Sequence, residues 1–538
     1  MAVDVAGSSI KKWLTAIGNN EFWYEDINVA AGEWKELAAA NGDIDTSKQL
    51  WAFELYGKVF VVNGANRKVA DFINVKITTT DVGEHPPDFQ TVLTGETSGA
   101  KMVVDYITAL SGAVTIYGRR ITTATFEAET VTGTDDDSNA ISFTGTAEVA
   151  GPHWYDWTSY GDDATFGSVP DQLTLGCAWN GRAVVAGNEN DPNQWYMSRQ
   201  GNPWDFNYIA NDQQAPISGE DAELGKVGDV VVALMPYNKD YFVLGCANSL
   251  WYLVGNPAAH GSLILLDDTI GMLDSQAWCK DGEGNLYMLT TTGLIKIPSG
   301  FGRPQNLLEV AYPNFATDLG FDGSLHRIIL GYDRNRSGIK VVKTVLADGS
   351  NSNWWYDLRI GGLFPETYPN QCGVYCLFDY AATDAEYSGL LHGCKDGYVR
   401  VEDSAAKDDD IGMSDQAINS YVTFGPLTLG EENLEGAITS IVGVTTGGKS
   451  GGSVTDSNAL TYSAWTALSA DSIVEKLAAN TTPNAAGTIS APGRNRGARK
   501  RKPIRGLYAG IRIGNDTAAQ TWGLEKLIVE SRVKGRVK

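Results

Sequence analysis

The sequence predicts an all-β fold: a six-bladed β-propeller with an inserted small β-barrel or sandwich module, and a β-sandwich formed by the C-terminal region with or without the N-terminal region. Three observations support it. The 538-residue chain has 60 glycines and 10% aromatic residues, which favours many short strands joined by tight turns. It has no long stretch with the apolar spacing of an amphipathic helix. A strand–turn–strand pattern recurs at intervals of roughly 40–60 residues, close to the period of four-stranded propeller blades.

The clearest unit is the stretch WNGRAVVAGNENDPNQWYMSRQGNPWDFNY at 179–208. Residues 182–186 alternate as in a short strand, and 187–193 contain Gly, Asn, Asp and Pro, the residues that turns require. Residues 194–199 return as a second strand. The same order recurs with other residues, in YFVLG followed by LWYLV and in LYMLT followed by LIKI.

The number of blades is predicted from the strand starts of these units. The starts lie near residues 57, 181, 239, 284, 326 and 388. Because a blade cannot bury both of its faces alone, neighbouring blades must stack into a ring. The units therefore predict a ring of six blades.

The remaining segments are assigned around this ring. A Thr-, Gly- and Val-rich stretch between the first two units indicates a separate small β module. The N-terminal segment, with a short helix near 10–17, is expected to pack on the propeller or on the C-terminal sandwich. The predicted divisions are 1–46 for the N-terminal segment, 47–78 for the first blade, 79–150 for the inserted β domain, 151–415 for the remaining blades and 416–538 for the C-terminal β-sandwich or platform.

The unit at 179–208 resembles a blade of the tail nozzle (tail tubular) proteins of short-tailed bacteriophages. In that family a strand ending in Ala-Gly precedes a loop, a Trp-Tyr-x-Ser-Arg strand and a tail containing Phe. The resemblance is specific over residues 172–300 and looser elsewhere. The residues on the family positions are Arg182, Gly187, Trp195, Ser198, Arg199, Trp204 and Phe206.

This resemblance implies a structural virion protein made in the host cytoplasm. Copies would form a homo-oligomeric ring, six by the family pattern, around the channel through which double-stranded DNA leaves without sequence-specific binding. The implied protein partners are a tail adaptor protein and tail fibres or spikes. The isolated chain is expected to be monomeric.

A receptor-binding or polysaccharide-degrading tail protein is the alternative. The five histidines are scattered, and no GxSxG elbow, P-loop or HExxH motif occurs. The stretch GSNSNWWYDL is the nearest match to a sialidase blade turn, but it lacks the Asp and Gly of that turn. The prediction is therefore a protein that is not an enzyme, with no catalytic residues, metal ligands or cofactor. No apolar run reaches the roughly 20 residues of a membrane helix, so no membrane segment is expected.

The net charge of −23 is unevenly distributed. From Arg494 onward there are 13 Lys and Arg against 3 Asp and Glu, and residues 1–493 hold 29 against 62. A body this acidic should repel nucleic acid. The basic run is a candidate site for docking a protein, with contact to DNA and a solvated loop as alternatives. Its residues are Arg494, Arg496, Arg499, Lys500, Arg501, Lys502 and Arg505.

Overall fold

The computed structural model describes residues 2–5, 11–25, 33–209, 211–220, 224–382, 387–403, 406–412, 414–431, 434–447, 455–496 and 504–536. The chain divides into two compact units. The first comprises residues 1–366 and 373–402, and the second comprises 367–372 and 403–538. Among the described residues, no helix has the length and apolar character needed to cross a membrane.

The first unit is built almost wholly of short antiparallel strands. The first nineteen strands, which form four sheets, are β1 (Ala2–Val5), β2 (Lys11–Gly18), β3 (Glu21–Glu25), β4 (Trp34–Glu36), β5 (Trp51–Leu55), β6 (Lys58–Val62), β7 (Arg67–Asp71), β8 (Val75–Thr79), β9 (Val92–Gly95), β10 (Lys101–Ile107), β11 (Val114–Arg120), β12 (Glu129–Thr134), β13 (Ala140–Gly145), β14 (Val149–Ala150), β15 (His153–Asp156), β16 (Leu175–Trp179), β17 (Arg182–Ala186), β18 (Trp195–Met197) and β19 (Ile217–Ser218). The later strands are β20 (Val231–Pro236), β21 (Tyr241–Cys246), β22 (Leu250–Asn256), β23 (Ala259–Asp267), β24 (Trp278–Lys280), β25 (Leu286–Thr290), β26 (Gly293–Ile297), β27 (Gln305–Asn306), β28 (His326–Asp333), β29 (Gly338–Val345), β30 (Asn351–Asp357), β31 (Gly362–Glu366), β32 (Val374–Tyr380), β33 (Gly389–Cys394) and β34 (Val399–Val401). Helix α1 is Phe315–Asp318, and 3-10 turns lie at Ala38–Ala40, Tyr160–Asp162 and Ala164–Phe166.

Each of the six predicted units forms one small sheet. The sheets run β15-β7-β6-β5, β16-β17-β18-β19, β20-β21-β22-β23, β24-β25-β26-β27, β28-β29-β30-β31 and β32-β33-β34. Strand β5 lies against β16, β16 against β20, β24 against β28, and β28 against β32. Successive sheets therefore stack through their first strands, as propeller blades do, and the prediction of an all-β propeller is confirmed.

The four N-terminal strands add a further sheet of the same kind, β1-β2-β3-β4. On one side Phe22 packs with Val59 of the first blade, and on the other Leu14 packs with Leu391 of β33. The Tyr380 hydroxyl also donates to Glu25 Oε2 at 3.0 Å. The described residues thus hold seven stacked sheets rather than six, and the seventh joins the first and last predicted units. The segment expected to be helical near residues 10–17 is strand β2.

The inserted module is a seven-stranded sheet with the order β13-β12-β9-β10-β11-β8-β14. It begins at β8, within the stretch assigned by sequence to the first blade. The fourth strand of that blade, β15, follows the module. The insertion therefore lies between the third and fourth strands of one blade, and not between two blades.

A buried polar network joins the module to the first blade. Lys58 of β6 is 1% exposed and forms an ion pair with Asp105 of β10. Asp105 lies where the register of β10 against β11 shifts, and such a bulge re-aims a side chain. Asn74 donates to Asp105 at 2.9 Å and to Asp71 at 2.7 Å, while the Tyr155 hydroxyl donates to Asp71 at 2.9 Å.

Acid should weaken the inserted module through Glu129. Burial opposes the charge on this carboxylate, but hydrogen bonds from Ser98, Glu127 and Thr97 lower its pKa to about 2 from the usual 4.5. A lowered pKa contributes stability that is present above the unfolded-state pKa and is lost as the pH falls toward the folded-state pKa. We expect Glu129→Gln to lower the free energy of unfolding at pH 7, and the difference from wild type to shrink between about pH 4.5 and 2. Urea unfolding at several pH values checks this, and a difference independent of pH would contradict it.

The second unit is a β-sandwich with one helix. Its strands are β35 (Asp408–Ile411), β36 (Ser414–Ala417), β37 (Ser420–Thr428), β38 (Leu434–Thr445), β39 (Leu460–Ala467), β40 (Ala485–Ile489), β41 (Gly493–Arg496), β42 (Ile504–Gly506), β43 (Tyr508–Asn515) and β44 (Leu524–Arg536). One sheet has the order β37-β43-β39-β40, and in the other β38 pairs with β41, β42 and β44. Buried residues of both sheets, among them Ile441, Ile489 and Ile511, share one core. Strands β35 and β36 form a separate hairpin, and a 3-10 turn lies at Asn370–Cys372.

Helix α2 (Ala470–Ala478) covers part of the first of these two sheets. The Ser469 hydroxyl caps the helix by accepting from the Ser472 amide, which satisfies one of the free amides at a helix start. Ile473 and Leu477 are buried against Trp465. The helix thereby shields one apolar stripe from water.

Candidate functional site

The Arg182 side chain holds together the blade that carries the family resemblance. Arg182 begins β17 and is 1% exposed. Its guanidinium donates to the carbonyl oxygens of Ser198 at 2.8 Å and Ala215 at 2.7 Å, and to that of Gln213 at 3.3 Å. Burial lowers the pKa of Arg182 to about 10, so the group stays charged at neutral pH. It ties β17 to the end of β18 and to the segment before β19.

Ser198 ties the end of β18 to β17, and Arg199 holds the turn that follows. The Ser198 hydroxyl accepts from the Ala183 amide at 3.0 Å. The Arg199 guanidinium donates to Asp205 at 2.5 Å and to Asp212 at 2.6 Å. Burial opposes its charge, but these carboxylates raise the pKa of Arg199. The ion pairs therefore close the 199–205 turn.

The three aromatic resemblance residues join this blade to its neighbours. Trp195 and Trp204 are fully buried and Phe206 is 1% exposed. The Trp204 ring lies 5.6 Å from that of Phe60 in the first blade and 4.5 Å from that of Tyr106 in the inserted module. Trp195 belongs to the core shared by the second and third blades. The residues on the family positions therefore pack in the core and close turns.

Gly187 is required by the geometry at the end of β17. Its φ is +88°, and a Cβ atom there would lie 2.0 Å from Thr174 Oγ1. We expect Gly187→Ala to lower the free energy of unfolding by about 1–3 kcal/mol, measured by urea denaturation. Gly201→Ala is the matched control, because φ is +84° and a Cβ atom meets nothing within 4 Å. Equal losses for the two variants would show that the Thr174 contact contributes nothing.

A second cluster of charged side chains lies between the last two predicted blades. Lys340, whose side chain is fully buried, lies 2.8 Å from Glu366 and 2.6 Å from Glu402. Arg336 pairs with both glutamates and lies 4.0 Å over the Trp355 ring. Burial would raise the pKa of Glu402, but His392 and Lys340 hold it well below its usual range. A carboxylate held in its charged form is unsuited to act as a general acid, so this cluster stabilises the contact between two blades.

The described part of the basic run lies along one edge of the second sheet of the sandwich. Arg494 and Arg496 lie on β41 and Arg505 lies on β42, and both strands pair with β38. Four of the predicted residues, Arg499, Lys500, Arg501 and Lys502, lie outside the described residues.

The strand register places further cations on the same face as this run. Residues directly opposite in neighbouring strands point to the same face of a sheet. Three rows cross β38: Arg494–Val444–Lys526, Arg496–Val442–Ile528 and Arg505–Ala437–Arg532. Side chains on the other face of β44, such as Leu527 and Val529, pack in the sandwich core. We call the outer surface of these rows the basic face.

The cations of the basic face are open to solvent. The side chains of Arg494, Arg505, Lys526 and Arg532 are all exposed. In the described part of the chain, none of the four makes an ion pair with a carboxylate. Val444 and Ile528 are half-buried between them. Ala437 and Val442, on the middle strand of the face, are buried, so the exposed part of the face consists mainly of the cations on the flanking strands.

Sequence reasoning did not place Lys526 and Arg532 at this site. They lie more than 20 residues beyond the basic run, in a strand of mixed charge. Only the pairing of β44 with β38 brings them onto the same face of the sheet as Arg494 and Arg505. The sequence of β44 alternates as a strand does, but it does not indicate that β38 is the strand with which β44 pairs.

No metal cluster occurs among the residues that the structure describes. The acidic run at 135–137 lies in a hairpin turn, where the Asp135 carboxylate accepts from the backbone and side-chain nitrogens of Asn139 at 2.6 and 2.9 Å. This carboxylate closes a turn of the inserted module.

No family model matches the sequence, and no curated protein matches it. Among solved structures, virginiamycin B lyase from Staphylococcus aureus is 8% identical with a TM-score of 0.32, covering 74% of this chain and 93% of its own. The extracellular domain of a hybrid two component system from B. thetaiotaomicron is 10% identical with a TM-score of 0.32, covering 97% and 70%. The phage phi92 endosialidase is 9% identical with a TM-score of 0.24, covering 78% and 75%.

Because these identities and TM-scores are low, the solved structures give no argument about the function of this chain. The arrangement of its sheets shows that the chain is a β-propeller protein with a β module inserted in one blade and a C-terminal β-sandwich.

Proposed function

We propose that the chain is a structural component of a short phage tail, the nozzle or tail tube. Copies of the chain form a ring, six by the family resemblance, around the channel through which the genome leaves. The resemblance of residues 182–206 to a nozzle-protein blade carries this proposal. These residues pack in the core and close turns, so the resemblance is one of blade structure.

The charge distribution supports passage of DNA without retention. Residues 1–493 hold 62 Asp and Glu against 29 Lys and Arg. A surface with clustered cations would release counterions and hold phosphates. An acidic surface repels a duplex weakly, over about 8 Å at physiological salt. Double-stranded DNA therefore passes through the ring and is not bound by sequence.

A structural role is favoured over a polysaccharide-degrading one. Glycoside hydrolysis uses two carboxylates, one of them kept protonated as the acid. The closely placed pair Glu366 and Glu402 is bridged by Lys340 and Arg336, and the pKa of Glu402 is held well below its usual range. In this proposal the chain is a structural protein that is not an enzyme and uses no cofactor.

The proposed partners are other virion proteins. The inserted module and the C-terminal sandwich add surface to that of the propeller. In the proposed tail, these surfaces dock the adaptor protein and the fibres or spikes. The location follows as the virion, after synthesis in the host cytoplasm.

Labelled electron micrographs test this function. Virions that contain the chain are incubated with gold-labelled antibody raised against it, with antibody absorbed on the purified protein as the control. We expect label on the tail axis. Label confined to lateral fibres, together with cleavage of host polysaccharide by the purified protein, would replace the proposal by the receptor-binding or depolymerase alternative.

A further inference from the structure

We propose that the outer edge of the last blade binds an extended segment of another virion protein as its fourth strand. The edge is strand β34 of the sheet β32-β33-β34. The segment pairs with β34 through its backbone, turns apolar side chains toward the valines of β34 and carries a cation among them. The inference rests on the proposed tail and adds which surface takes a partner and what chemistry that partner has.

The last blade has an open position in its sheet. In the described part of the chain, the other six stacked sheets have four strands each, and this one has three. The third strand of each of those six sheets contains buried residues. Strand β34 contains none, and its two valines, Val399 and Val401, are 38% and 39% exposed. The position that a fourth strand fills in the other sheets is therefore open to solvent.

The backbone of β34 is free to pair on its outer side. The Glu402 amide, at the end of β34, donates to the Leu390 carbonyl oxygen of β33 at 2.8 Å. In an antiparallel pair, successive residues turn their backbone groups alternately toward the partner strand and away from it. The amides and carbonyl oxygens of Val399 and Val401 therefore point away from β33. Such an edge is a template for an added strand, and proteins bind extended segments in this way.

One wall of the open position is apolar. Val401 lies directly opposite Leu391 of β33, so both side chains, and that of Val399, lie on the same face of the sheet. On this face Leu391 packs with Leu14 of β2 and Trp34 of β4. An added strand would turn alternate side chains into the space between the valines and β4. Apolar side chains there would be removed from water.

A carboxylate on β4 sets the charge of the partner. Glu36 follows Trp34 by two residues and therefore lies on the same face of β4. It is half-buried, and in the described part of the chain it makes no ion pair. A cation on the added strand would supply the complementary charge, and such pairs make an interface specific. We therefore expect the partner segment to carry a Lys or Arg on the same face as its apolar residues.

The opposite wall is formed by β31 of the preceding blade. Glu366 of β31 pairs with Arg336, which also pairs with Glu402 at the end of β34, so this face of β31 is turned toward the last blade. Phe364 precedes Glu366 by two residues and lies on the same face. The Phe364 side chain is 46% exposed. Threonine methyl groups on the other face of the added strand would cover this ring.

The experiment measures binding of a synthetic peptide to the full chain by fluorescence anisotropy, at chain concentrations up to about 100 μM. The peptide is Val-Thr-Val-Thr-Lys-Thr, with an acetylated N-terminus and fluorescein at its C-terminus. The edge variant of the chain carries Val399→Asp and Val401→Asp. The control variant carries the same two changes on exposed valines elsewhere, Val310→Asp and Val474→Asp. Unchanged melting temperatures show that each variant is folded.

We expect the wild type and the control variant to bind the peptide equally, and the edge variant to bind it at least about tenfold more weakly. Methyl groups on the backbone nitrogens of the two peptide valines should abolish binding, because these amides face β34. The same change on the first two peptide threonines, whose amides point away from β34, is the control and should leave binding intact. A peptide with Glu in place of Lys should bind more weakly, because Glu36 then meets a like charge.

The inference would be overturned if the wild type did not bind the peptide, or if the edge variant bound it as well as the wild type. Equal effects of the two methylation patterns, or equal binding of the Lys and Glu peptides, would also contradict it. Sedimentation of the wild type should show a monomer. A dimer that the edge variant dissociates would mean that a second copy occupies the edge.

Binding of the peptide by the purified chain does not depend on where the chain lies in the virion. The labelled micrographs therefore fail or succeed separately from this test.

Discussion

Replacing Lys58 with methionine is expected to lower the free energy of unfolding by about 3–5 kcal/mol. Lys58 is 1% exposed and pairs with Asp105 between the first blade and the inserted module. Methionine fills a similar volume but brings no charge, so the Asp105 carboxylate is left without its cation. An uncompensated buried charge is the costly outcome of breaking such a pair. Urea unfolding followed by tryptophan fluorescence measures the loss.

A double variant separates the lost ion pair from lost packing. Asp105→Asn removes the negative charge that Lys58 neutralises. The amide oxygen of the new side chain can still accept the hydrogen bond that Asn74 donates. The double variant Lys58→Met/Asp105→Asn should therefore be destabilised by clearly less than the sum of the two single losses. Additive losses, or a loss below about 1 kcal/mol for Lys58→Met, would show that the ion pair does not join the module to the blade.

Replacing Lys340 with methionine is expected to have an effect of similar size, about 3–5 kcal/mol at pH 7. Lys340 is the fully buried cation between Glu366 and Glu402. Without Lys340, the Glu366 and Glu402 carboxylates still pair with Arg336, but the electrostatic repulsion between them rises. The control is Lys343→Met on the same strand, where the lost bond goes to a carbonyl oxygen, with an expected loss of about 1 kcal/mol.

The pH dependence of the Lys340 effect identifies its cause. Burial would raise the pKa of Glu402, while His392 and Lys340 lower it. A lowered carboxylate pKa gives stability that is present above the unfolded-state pKa and is lost as the pH falls. Without Lys340 the pKa of Glu402 rises, so the variant should lose less stability than wild type when acidified from about pH 4.5. Parallel losses in the two proteins would assign the effect to packing.

Local residue patterns were sufficient to predict the class of fold and most of its strand–turn–strand units. Alternating strands separated by Gly, Asn, Asp and Pro indicate strands and turns through forces that act over a few residues. The strand predicted over 182–186 is β17. The return strand predicted over 194–199 is shorter, Trp195–Met197, and the Arg199 guanidinium closes the turn that follows by bonding Asp205.

Three features were decided only by contacts between distant parts of the chain. Strands β1 to β4 form a seventh sheet because apolar side chains of this sheet are buried against the first and last predicted blades. The inserted module came to lie within a blade because β15 pairs with β7 across more than 80 residues. Lys526 joined the basic face through the pairing of β44 with β38. Strand pairing depends on backbone hydrogen bonds that any sequence can make, so alternation alone shows that a strand exists and which face it buries, while its partner is chosen by packing in the folded protein.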